Sequence, residues 1–478
     1  MTEQTDVTTQ TAQTAQTAQT RPTKKLEKVD AVVLGMGPGG EEIAGRLAEA
    51  GLEVVGIEGK LLGGECPYWG CIPSKMMIRA ANLLAETRRV PGMAGASTVT
   101  PDWAPVARRL RDATDDWNDQ VAVDRFVGKG GRFVRGWGHL DGPRTVVVGD
   151  TAYEARRAVV VATGDKAWAP PIPGLAELEG RYWTNRDAIE ADTLPASLVV
   201  LGGGAIGVEL GQVFARFGTD VSIVEAGERL LAPEEPESSA LVAEVLAREG
   251  LHLHTSAKVT GVRHDGDRFV LDLEGDAPVT GERLLVATGR RPDLASLNVT
   301  SVGVDDKARG LPVDGRLRVT DGVWGIGDVT GVGAFTHVSM YQAGIALADI
   351  LGQDPPPADY RALPHVTFTD PEIGSVGLNE AAARAKGLDV RVGTYPIPQS
   401  TRGWIHKVGN EGFIKLVEDA GRGVLVGATS AGPTGGEVLS MLTLAIHAEI
   451  PVEQLRRMIY AYPTFHRAVE AALADLVS

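Results

Sequence analysis

Two stretches of the chain share one pattern of apolar and polar positions. In the first, the mostly apolar run 29–34 is followed by a glycine-rich turn, then by a helical pattern with Ile43, Leu47 and Ala48 on one face, and then by the apolar run 54–57. A short apolar run is typical of a buried parallel strand, and the 3.6-residue period after it indicates an amphipathic helix. This stretch therefore predicts a strand–helix–strand unit.

The turn of this first unit has the spacing of a dinucleotide-binding loop. Gly35, Gly37 and Gly40 form Gly-x-Gly-x-x-Gly, and Glu58 ends the second strand. The first glycine permits the tight turn, the second lets a pyrophosphate approach the backbone, and the third lets the helix pack closely on the strand. The helix N-terminus offers free N–H groups to the phosphates, and Glu58 can accept hydrogen bonds from ribose hydroxyls.

The same order of features recurs about 165 residues further along the chain. The apolar run 197–201 leads into a second glycine turn, and the strand after the helix ends at an acid; these residues are Gly202, Gly204, Gly207 and Glu225. Two such units suit two dinucleotides, and FAD with NAD(H) or NADP(H) is the expected pair. A carboxylate at Glu225 accepts from a 2′-hydroxyl and repels a 2′-phosphate, which favours NADH, although Arg229 is a cation nearby.

Length and charge limit the classes of protein to consider. The 478 residues exceed the about 250–300 at which one hydrophobic core stops growing, so several domains are expected. The net charge of −15 disfavours nucleic acids and anionic membranes as partners. The sequence contains no run of about 18 apolar residues, so no membrane-spanning helix is predicted. The polar, repetitive stretch 1–27 is expected to be a disordered tail without a secretory signal, which indicates a cytoplasmic protein.

The chain contains only two cysteines, Cys66 and Cys71, with four residues between them. This number excludes a disulfide-rich secreted scaffold and any zinc site built on three or four cysteines, and no metal site is predicted. Two thiols so close together in a chain so poor in cysteine indicate a functional dithiol. The alternative is a chance pair of inert buried thiols.

The segment around the cysteines reads GGECPYWGCIPSK, and here the chain resembles the flavoprotein disulfide reductases, the family of dihydrolipoamide dehydrogenase, glutathione reductase and mercuric reductase. The residues that match the family pattern are Gly63, Gly64, Cys66, Gly70, Cys71, Pro73, Ser74 and Lys75. Further family-like segments follow in order at 162–164, 170–174, 287–293, 325–331, 342–344 and 368–377. The resemblance spans residues 28 to about 475.

The resemblance implies a redox-active disulfide and a role for individual residues. Cys71 would face the flavin as the charge-transfer thiolate, and Cys66 would exchange with the substrate. Lys75 would lie near the flavin N5 atom and pair with Glu209, for which the alternative is an ordinary exposed helix acid. Further cofactor-binding positions carried over from the family are Gly64, Thr163, Gly164, Gly289, Gly327 and Asp328. His337 receives no catalytic role, because a histidine there can equally be a structural one.

The C-terminus departs from the family pattern His-Pro-Thr-x-x-Glu. Tyr462 replaces the histidine that serves the exchanging sulfur, and Arg467 replaces the glutamate that orients it. An unperturbed tyrosine has a pKa of about 10, so it is a poor base near neutrality, although its hydroxyl can donate a proton. If this stretch is helical, Tyr462, His466 and Glu470 share one face, and a displaced His466–Glu470 dyad is conceivable. The favoured interpretation is a solvent-facing pair.

The predicted fold class is α/β, with two Rossmann-like dinucleotide-binding domains and an α+β C-terminal dimerisation domain. The FAD domain is expected at 28–165 and 291–360, the nicotinamide domain at 166–290 and the interface domain at 361–478. The resemblance implies a homodimer with shared active sites. Mercuric reductases need an additional cysteine pair near the C-terminus, and its absence from this sequence disfavours that activity. Substrate specificity is expected to reside near Tyr68, Trp69 and Trp404.

Three hypotheses for function remain open at this point. The first is an FAD-dependent NAD(P)H oxidoreductase that acts on a small disulfide or dithiol through Cys66 and Cys71. The second is the same flavoprotein reducing quinones or other electrophiles directly, with the thiols ancillary. The third is a nucleotide-binding sensor without turnover, which the intact nucleotide motifs and Lys75 disfavour.

Overall fold

The computed structural model describes residues 24–476, and its first part is a mixed sheet with helices. The strands are β1 (Lys25–Leu34), β2 (Val54–Glu58), β3 (Arg132–Arg135), β4 (Gly138–Leu140), β5 (Thr145–Val148), β6 (Thr151–Val161) and β7 (Lys166–Ala167). The helices are α1 (Pro38–Glu49), α2 (Glu65–Tyr68), α3 (Cys71–Arg89), α4 (Ala104–Ala113) and α5 (Gln120–Gly128). Strands β4 and β5 pair antiparallel beside a parallel centre. Strand β1 lies in the middle, parallel to β2 and β6, and its residues 31–34 are buried, as the continuous apolar run predicts.

The predicted tail only partly overlaps the described residues. Residues 1–23 lie outside the part of the chain that the structure describes. Residues 25–27 belong to β1, so the expectation that the tail extends to residue 27 is wrong for them. The reason is that β1 continues outward beside β6, where Lys25 pairs with Thr151.

A second, parallel sheet follows. Its region contains α6 (Asn185–Ile189), β8 (Ser197–Leu201), α7 (Ala205–Arg216), β9 (Asp220–Val224), α8 (Pro236–Arg248), β10 (His252–His254), β11 (Val259–Asp265), β12 (Arg268–Leu273), β13 (Val279–Gly281), β14 (Arg283–Val286) and β15 (Arg290–Arg291). The parallel strands have the order β10-β9-β8-β14, and β11, β12 and β13 form a separate antiparallel sheet. Strand β15 pairs with β7, which links this region back to the first.

The chain then returns to the first sheet through β16 (Arg318–Thr320), β17 (Val323–Gly325) and α9 (Thr336–Ile350). Strand β17 lies parallel to β6, so that the main path of the first sheet reads β16-β17-β6-β1-β2-β3. Helix α9 packs on α1, with Ala343, Ala346 and Ile350 in the same apolar cluster as Ile43 and Leu47. This return places the N-terminus of α9 at the end of the sheet where the first glycine turn lies.

The C-terminal region is built on an antiparallel sheet. Its elements are β18 (Pro364–Thr367), β19 (Glu372–Gly377), α10 (Glu380–Ala385), β20 (Val390–Pro396), α11 (Thr401–His406), β21 (Phe413–Asp419), β22 (Val424–Gly432), α12 (Gly435–His447), α13 (Val452–Arg456) and α14 (Arg467–Asp475). The strand order is β18-β19-β22-β21-β20, and α12 and α14 pack on the sheet. Short 3-10 helices lie at Ala176–Leu178, Val299–Val302, Asp328–Thr330 and Ile397–Gln399. Within residues 24–476, no helix combines the length and apolarity that crossing a membrane requires.

The expectation that Tyr462, His466 and Glu470 share a helical face is wrong. Helix α14 begins only at Arg467, and Tyr462 lies before it, preceding Pro463. Glu470 forms an ion pair at 3.4 Å with Arg467, which is the residue that replaces the family glutamate. A proline ring one residue after Tyr462 disfavours helical backbone at that residue, which is the local reason the helix starts later.

Candidate active site

A cavity of about 1650 Å³ connects the two glycine turns with the cysteine segment. Most of the cofactor and thiol positions predicted from the sequence line it; these are Gly37, Glu58, Gly64, Cys66, Cys71, Lys75, Thr163, Gly164, Gly202, Gly204, Glu209, Glu225, Gly289, Gly327 and Asp328. The remaining three predicted glycines, Gly35, Gly40 and Gly207, belong to the packing of the turns instead. The fold thus brings to one space residues as far apart in the chain as Gly37 and Asp328.

Each glycine turn has the shape that a bound pyrophosphate requires. Gly35 has φ +93°, and a Cβ there would lie 2.5 Å from the Ala162 carbonyl oxygen. A Cβ at Gly40 would lie 2.1 Å from the Gly35 oxygen, so helix and strand pack as closely as predicted. In contrast, Cβ atoms built at Gly37 and Gly204 would meet nothing within 4 Å. The middle glycine of each turn therefore faces open space, as the approach of a phosphate to the backbone demands.

The acid at the end of each second strand is held by one backbone amide of its glycine turn and one of the loop that follows the strand. Glu58 accepts hydrogen bonds from the amides of Met36 at 2.9 Å and Lys60 at 2.8 Å. Glu225 accepts from the amides of Gly203 and Gly227, both at 2.6 Å. Both carboxylates line the cavity, so they are fixed in orientation and have lone pairs left for ribose hydroxyls.

Three buried polar atoms beside this cavity have no hydrogen-bond partner among the described residues: Thr163 Oγ1, Asp165 Oδ1 and Arg290 Nε. An unsatisfied buried polar group costs about 1–3 kcal/mol, so such a cluster fits a site that a polyhydroxylated cofactor completes. Burial raises the pKa of Asp165 to about 6, with repulsion from Asp328 adding to it, and burial also raises the pKa of Asp328. The residues present therefore fit the ribityl and ribose hydroxyls of FAD.

Asp165 and Arg290 were not predicted from the sequence. Asp165 directly follows the family-like segment 162–164, and Arg290 lies within the segment 287–293; these positions are the signal that could have indicated them. The two segments come together because Arg290 donates to the Asp165 carbonyl at 2.9 Å.

The two thiols of the pair differ in their acidity. The pKa of Cys71 is lowered to about 6, first by the hydrogen bond from Cys66, with the Thr336 hydroxyl and the charge of Lys75 also lowering it and burial opposing them. The same bond and burial raise the pKa of Cys66. Cys71 is the first residue of α3, and its Sγ lies 3.4 Å from Thr336 Oγ1 at the start of α9. Helix N-termini favour negative charge, so Cys71 is the better placed thiolate.

Thr336 was missed by the sequence analysis. It lies 265 residues from Cys71 in the chain, and it is one residue before His337, which contacts the Pro364 carbonyl at 2.8 Å instead of the thiols. Nothing in the local sequence marks a threonine at the start of a helix as a partner of a cysteine so distant.

Lys75 and Glu209 form the pair that the family resemblance implies. Lys75 Nζ lies 2.8 Å from Glu209 Oε2, and the Glu209 side chain is only 7% exposed, which contradicts the alternative of an exposed helix acid. The other carboxylate oxygen of Glu209 accepts from the Phe368 amide at 2.7 Å. Lys75 Nζ also lies 4.6 Å from the centre of the Phe368 ring. The ammonium group is therefore held in one place at the cavity wall, one helical turn after Cys71.

The predicted C-terminal residues do not line this cavity of the same chain. The Tyr462 side chain is 65% exposed, and the Arg467 guanidinium lies 5.3 Å from its ring centre. Of the residues expected to set specificity, Trp404 is exposed, whereas Tyr68 and Trp69 are buried. Trp69 nevertheless lines the cavity beside the cysteines, whereas Tyr68 does not.

Two dinucleotide turns, a dithiol and a Lys–Glu pair around one cavity define an FAD- and nicotinamide-dependent oxidoreductase. A family model described as pyridine nucleotide-disulphide oxidoreductase matches residues 29–343, and the dimerisation domain of the same family matches residues 363–473. The chain belongs to this family, whose members use FAD and NAD(P)H. The family model for the dimerisation domain supports a homodimer.

Individual relatives agree with this assignment. The mercuric reductase of Bacillus cereus is 32% identical over 452 residues, covering 93% of this chain and 71% of that protein. The dihydrolipoyl dehydrogenase of Geobacillus stearothermophilus is 33% identical over 462 residues, covering 93% and 95%. Among solved structures, the Cu(II) complex of the HOCl-induced flavoprotein disulfide reductase RclA from Escherichia coli has a TM-score of 0.82 at 27% identity, covering 94% of this chain and 99% of that one.

Proposed function

We propose that the protein is an NADH-linked dithiol–disulfide oxidoreductase that acts on a small disulfide or dithiol through Cys66 and Cys71. The observation that carries this proposal is the cysteine pair itself, because the two thiols differ in acidity and share a cavity with both dinucleotide turns. When bound, FAD supplies the transfer of electrons between the nicotinamide and the cysteine pair. The chain's own residues bind and orient the cofactors and carry out the thiol exchange with the substrate.

The exchange step follows from the acidity of the two sulfurs. In the dithiol-oxidising direction, a substrate thiolate attacks Cys66 Sγ of the oxidised pair, and a substrate–Cys66 bond forms as the Cys66–Cys71 bond breaks. The electron pair of the broken bond stays on Cys71 Sγ, which leaves as a thiolate. A thiol of lower pKa leaves faster, and Thr336 and Lys75 are placed to stabilise the negative charge. The second substrate thiol, deprotonated, then displaces Cys66, and the product disulfide departs.

The two cofactors are assigned to the two turns. Gly37, Glu58 and Gly64 would hold the FAD adenosine and pyrophosphate, with Asp328 and the segments at Thr163 and Gly327 beside the ribityl chain. Gly204, Glu225 and Gly289 would hold the nicotinamide nucleotide. The proposed FAD domain comprises the predicted segments 28–165 and 291–360, with its start extended to residue 25 by β1, and the return of β17 to the first sheet supports this division.

Two contacts support NADH over NADPH. Glu225 lines the cavity directly after β9, and its carboxylate would accept from a ribose 2′-hydroxyl and repel a 2′-phosphate. Arg229, the cation that complicated the prediction, donates to the carbonyl oxygens of its own loop, at 2.6 Å to Ala232 and 3.0 Å to Glu234, and to Ser239 Oγ. Because the N–H groups of Arg229 already donate to these acceptors, fewer of them are left to bind a phosphate.

The acid–base group for the exchange is proposed to be Tyr462. In a homodimer of this family the C-terminal segment of one subunit completes the site of the other, and the exposed Tyr462 hydroxyl would then meet Cys66 across the interface.

Direct reduction of a quinone or similar electrophile, with the thiols ancillary, is the second candidate. The replacement of the family's His and Glu by Tyr462 and Arg467 favours it.

Anaerobic titration with NADH separates these two candidates. The FAD-loaded wild type is expected to take up two electrons more than Cys71→Ser, because its cysteine pair is reduced as well as the flavin. Equal uptake by both proteins would show that Cys66 and Cys71 are not a redox pair, and the electrophile reductase would then replace the first proposal.

A further inference from the structure

The segment between the two cysteines is held by the short helix α6, whose residues Asn185 and Arg186 also line the cavity. We define the redox loop as residues 65–71. Arg186 Nε donates to Glu65 Oε1 at 2.7 Å, and a second guanidinium nitrogen contacts the same oxygen. Asn185 Nδ2 donates to the Trp69 carbonyl at 2.8 Å and reaches Glu65 Oε2 at 3.3 Å. Both ends of the stretch that contains Cys66 are thus bonded to α6.

The Trp69 side chain adds two contacts to the same helix region. The Arg186 guanidinium carbon lies 4.4 Å from the centre of the Trp69 ring system, and the indole N–H donates to the Glu190 carboxylate. The Glu65 and Arg186 side chains are 23% and 29% exposed, so water screens their ion pair only partly. A planar guanidinium that binds a carboxylate and stacks on an aromatic ring fixes orientation as well as distance.

Helix α6 is itself anchored to the second sheet. A capping box joins Thr184 and Asp187 at its start. The preceding residue, Trp183, donates its amide to Leu284 at 2.7 Å and accepts from the Val286 amide at 2.8 Å, so it extends the sheet beside β14. The redox loop is therefore tied through α6 to the sheet that carries the second dinucleotide turn.

We propose that Asn185 and Arg186 are positioning residues that preorganise the redox loop for the bond between Cys66 and Cys71, and so set the stability of that disulfide. The proposal rests on the function proposed above for the cysteine pair. With Glu65 and the Trp69 carbonyl fixed, the dithiol has little freedom to lose when the bond closes. A loop released from α6 gains conformations in which the two sulfurs are apart, and the effective concentration of one thiol at the other falls.

The test is the equilibrium of the full-length, FAD-loaded enzyme with glutathione redox buffers under anaerobic conditions, with the Cys66–Cys71 disulfide quantified by alkylation and mass spectrometry. Arg186→Gln and Glu65→Gln should each weaken the disulfide about tenfold, the size of one hydrogen bond to a charged group. This corresponds to a midpoint potential about 30 mV more positive. Because both variants break the same ion pair, the effects of the two substitutions should be less than additive in the double variant.

A matched control is Arg111→Gln, which removes the more exposed ion pair between Arg111 and Asp192 and should leave the potential unchanged. If Arg186→Gln does not fold, Asn185→Ala makes the comparison instead, because it removes the bond to the Trp69 carbonyl and spares the ion pair. An equilibrium constant for the Cys66–Cys71 disulfide within twofold of the wild-type value would overturn the proposal, and so would single effects that add in the double variant. A wild type that forms no Cys66–Cys71 disulfide in any buffer would instead overturn the proposed function.

Discussion

The hydrogen bond from Thr336 to Cys71 makes a measurable prediction about thiol acidity. Thr336→Val keeps the shape of the side chain and removes the hydroxyl that lies 3.4 Å from Cys71 Sγ. A hydrogen bond to a charged group contributes about 1.5–3 kcal/mol, and the long distance to sulfur places this one at the lower end. Since about 1.4 kcal/mol equals one pKa unit, the pKa of Cys71 should rise from about 6 to about 7.

The consequence at neutral pH is a loss of thiolate. At pH 7 the thiolate fraction of Cys71 should fall from about nine-tenths to about half. The assay is the pH dependence of alkylation by iodoacetamide in the reduced protein, with the peptide of Cys71 resolved from that of Cys66 by mass spectrometry. The midpoint of the Cys71 profile should move up by about one pH unit in Thr336→Val.

Thr336→Ser is the matched control, because it keeps the hydroxyl and should retain the wild-type midpoint. The lowered pKa of Cys71 also makes the stability of the reduced protein depend on pH. A lowered pKa of Cys71 stabilises the reduced fold fully only above the unfolded pKa of about 8.5, and this contribution is lost as the pH falls through about 6. An unchanged alkylation midpoint in Thr336→Val would refute the argument that Thr336 supports the thiolate.

Three further predictions test other parts of the site. Glu225→Ala should relax the preference for NADH by about 1–3 kcal/mol, measured as the ratio of kcat/KM for the two nucleotides; a wild type that prefers NADPH would contradict the assignment. Tyr462→Phe should lower thiol turnover by about 10²–10⁴-fold with flavin reduction by NADH nearly unchanged, whereas His466→Ala should cost less than about tenfold; the reverse ranking would indicate His466 as the relay. In the flavin-free protein, the raised pKa of Asp165 means that stability falls as the pH rises from about 4 to about 6. Asp165→Asn should remove up to about 3 kcal/mol of this fall in urea unfolding, and an identical pH profile would show that the buried carboxyl is not its source.

Local patterns in the sequence predicted the elements whose signals lie within one short stretch. A buried strand, a glycine turn and an amphipathic helix follow one another within thirty residues, so the pattern around Gly35 and the pattern around Gly202 each predicted a dinucleotide unit. The cysteine pair was equally evident, because Cys66 and Cys71 stand close together in a chain with no other thiol. The family resemblance added the pairing of Lys75 with Glu209, which are 134 residues apart.

The contacts that join distant segments are evident from the three-dimensional fold and not from the local patterns. Thr336 reaches Cys71 because α9 returns to the first sheet, and Arg186 reaches Glu65 because α6 is anchored beside β14. The start of α14 after Tyr462 depended on backbone geometry around a proline, which the helical spacing of His466 and Glu470 did not reveal. Hydrophobic periodicity reports which face of an element is buried, but it carries no information on which other element covers that face, and these polar contacts form only after that choice is made.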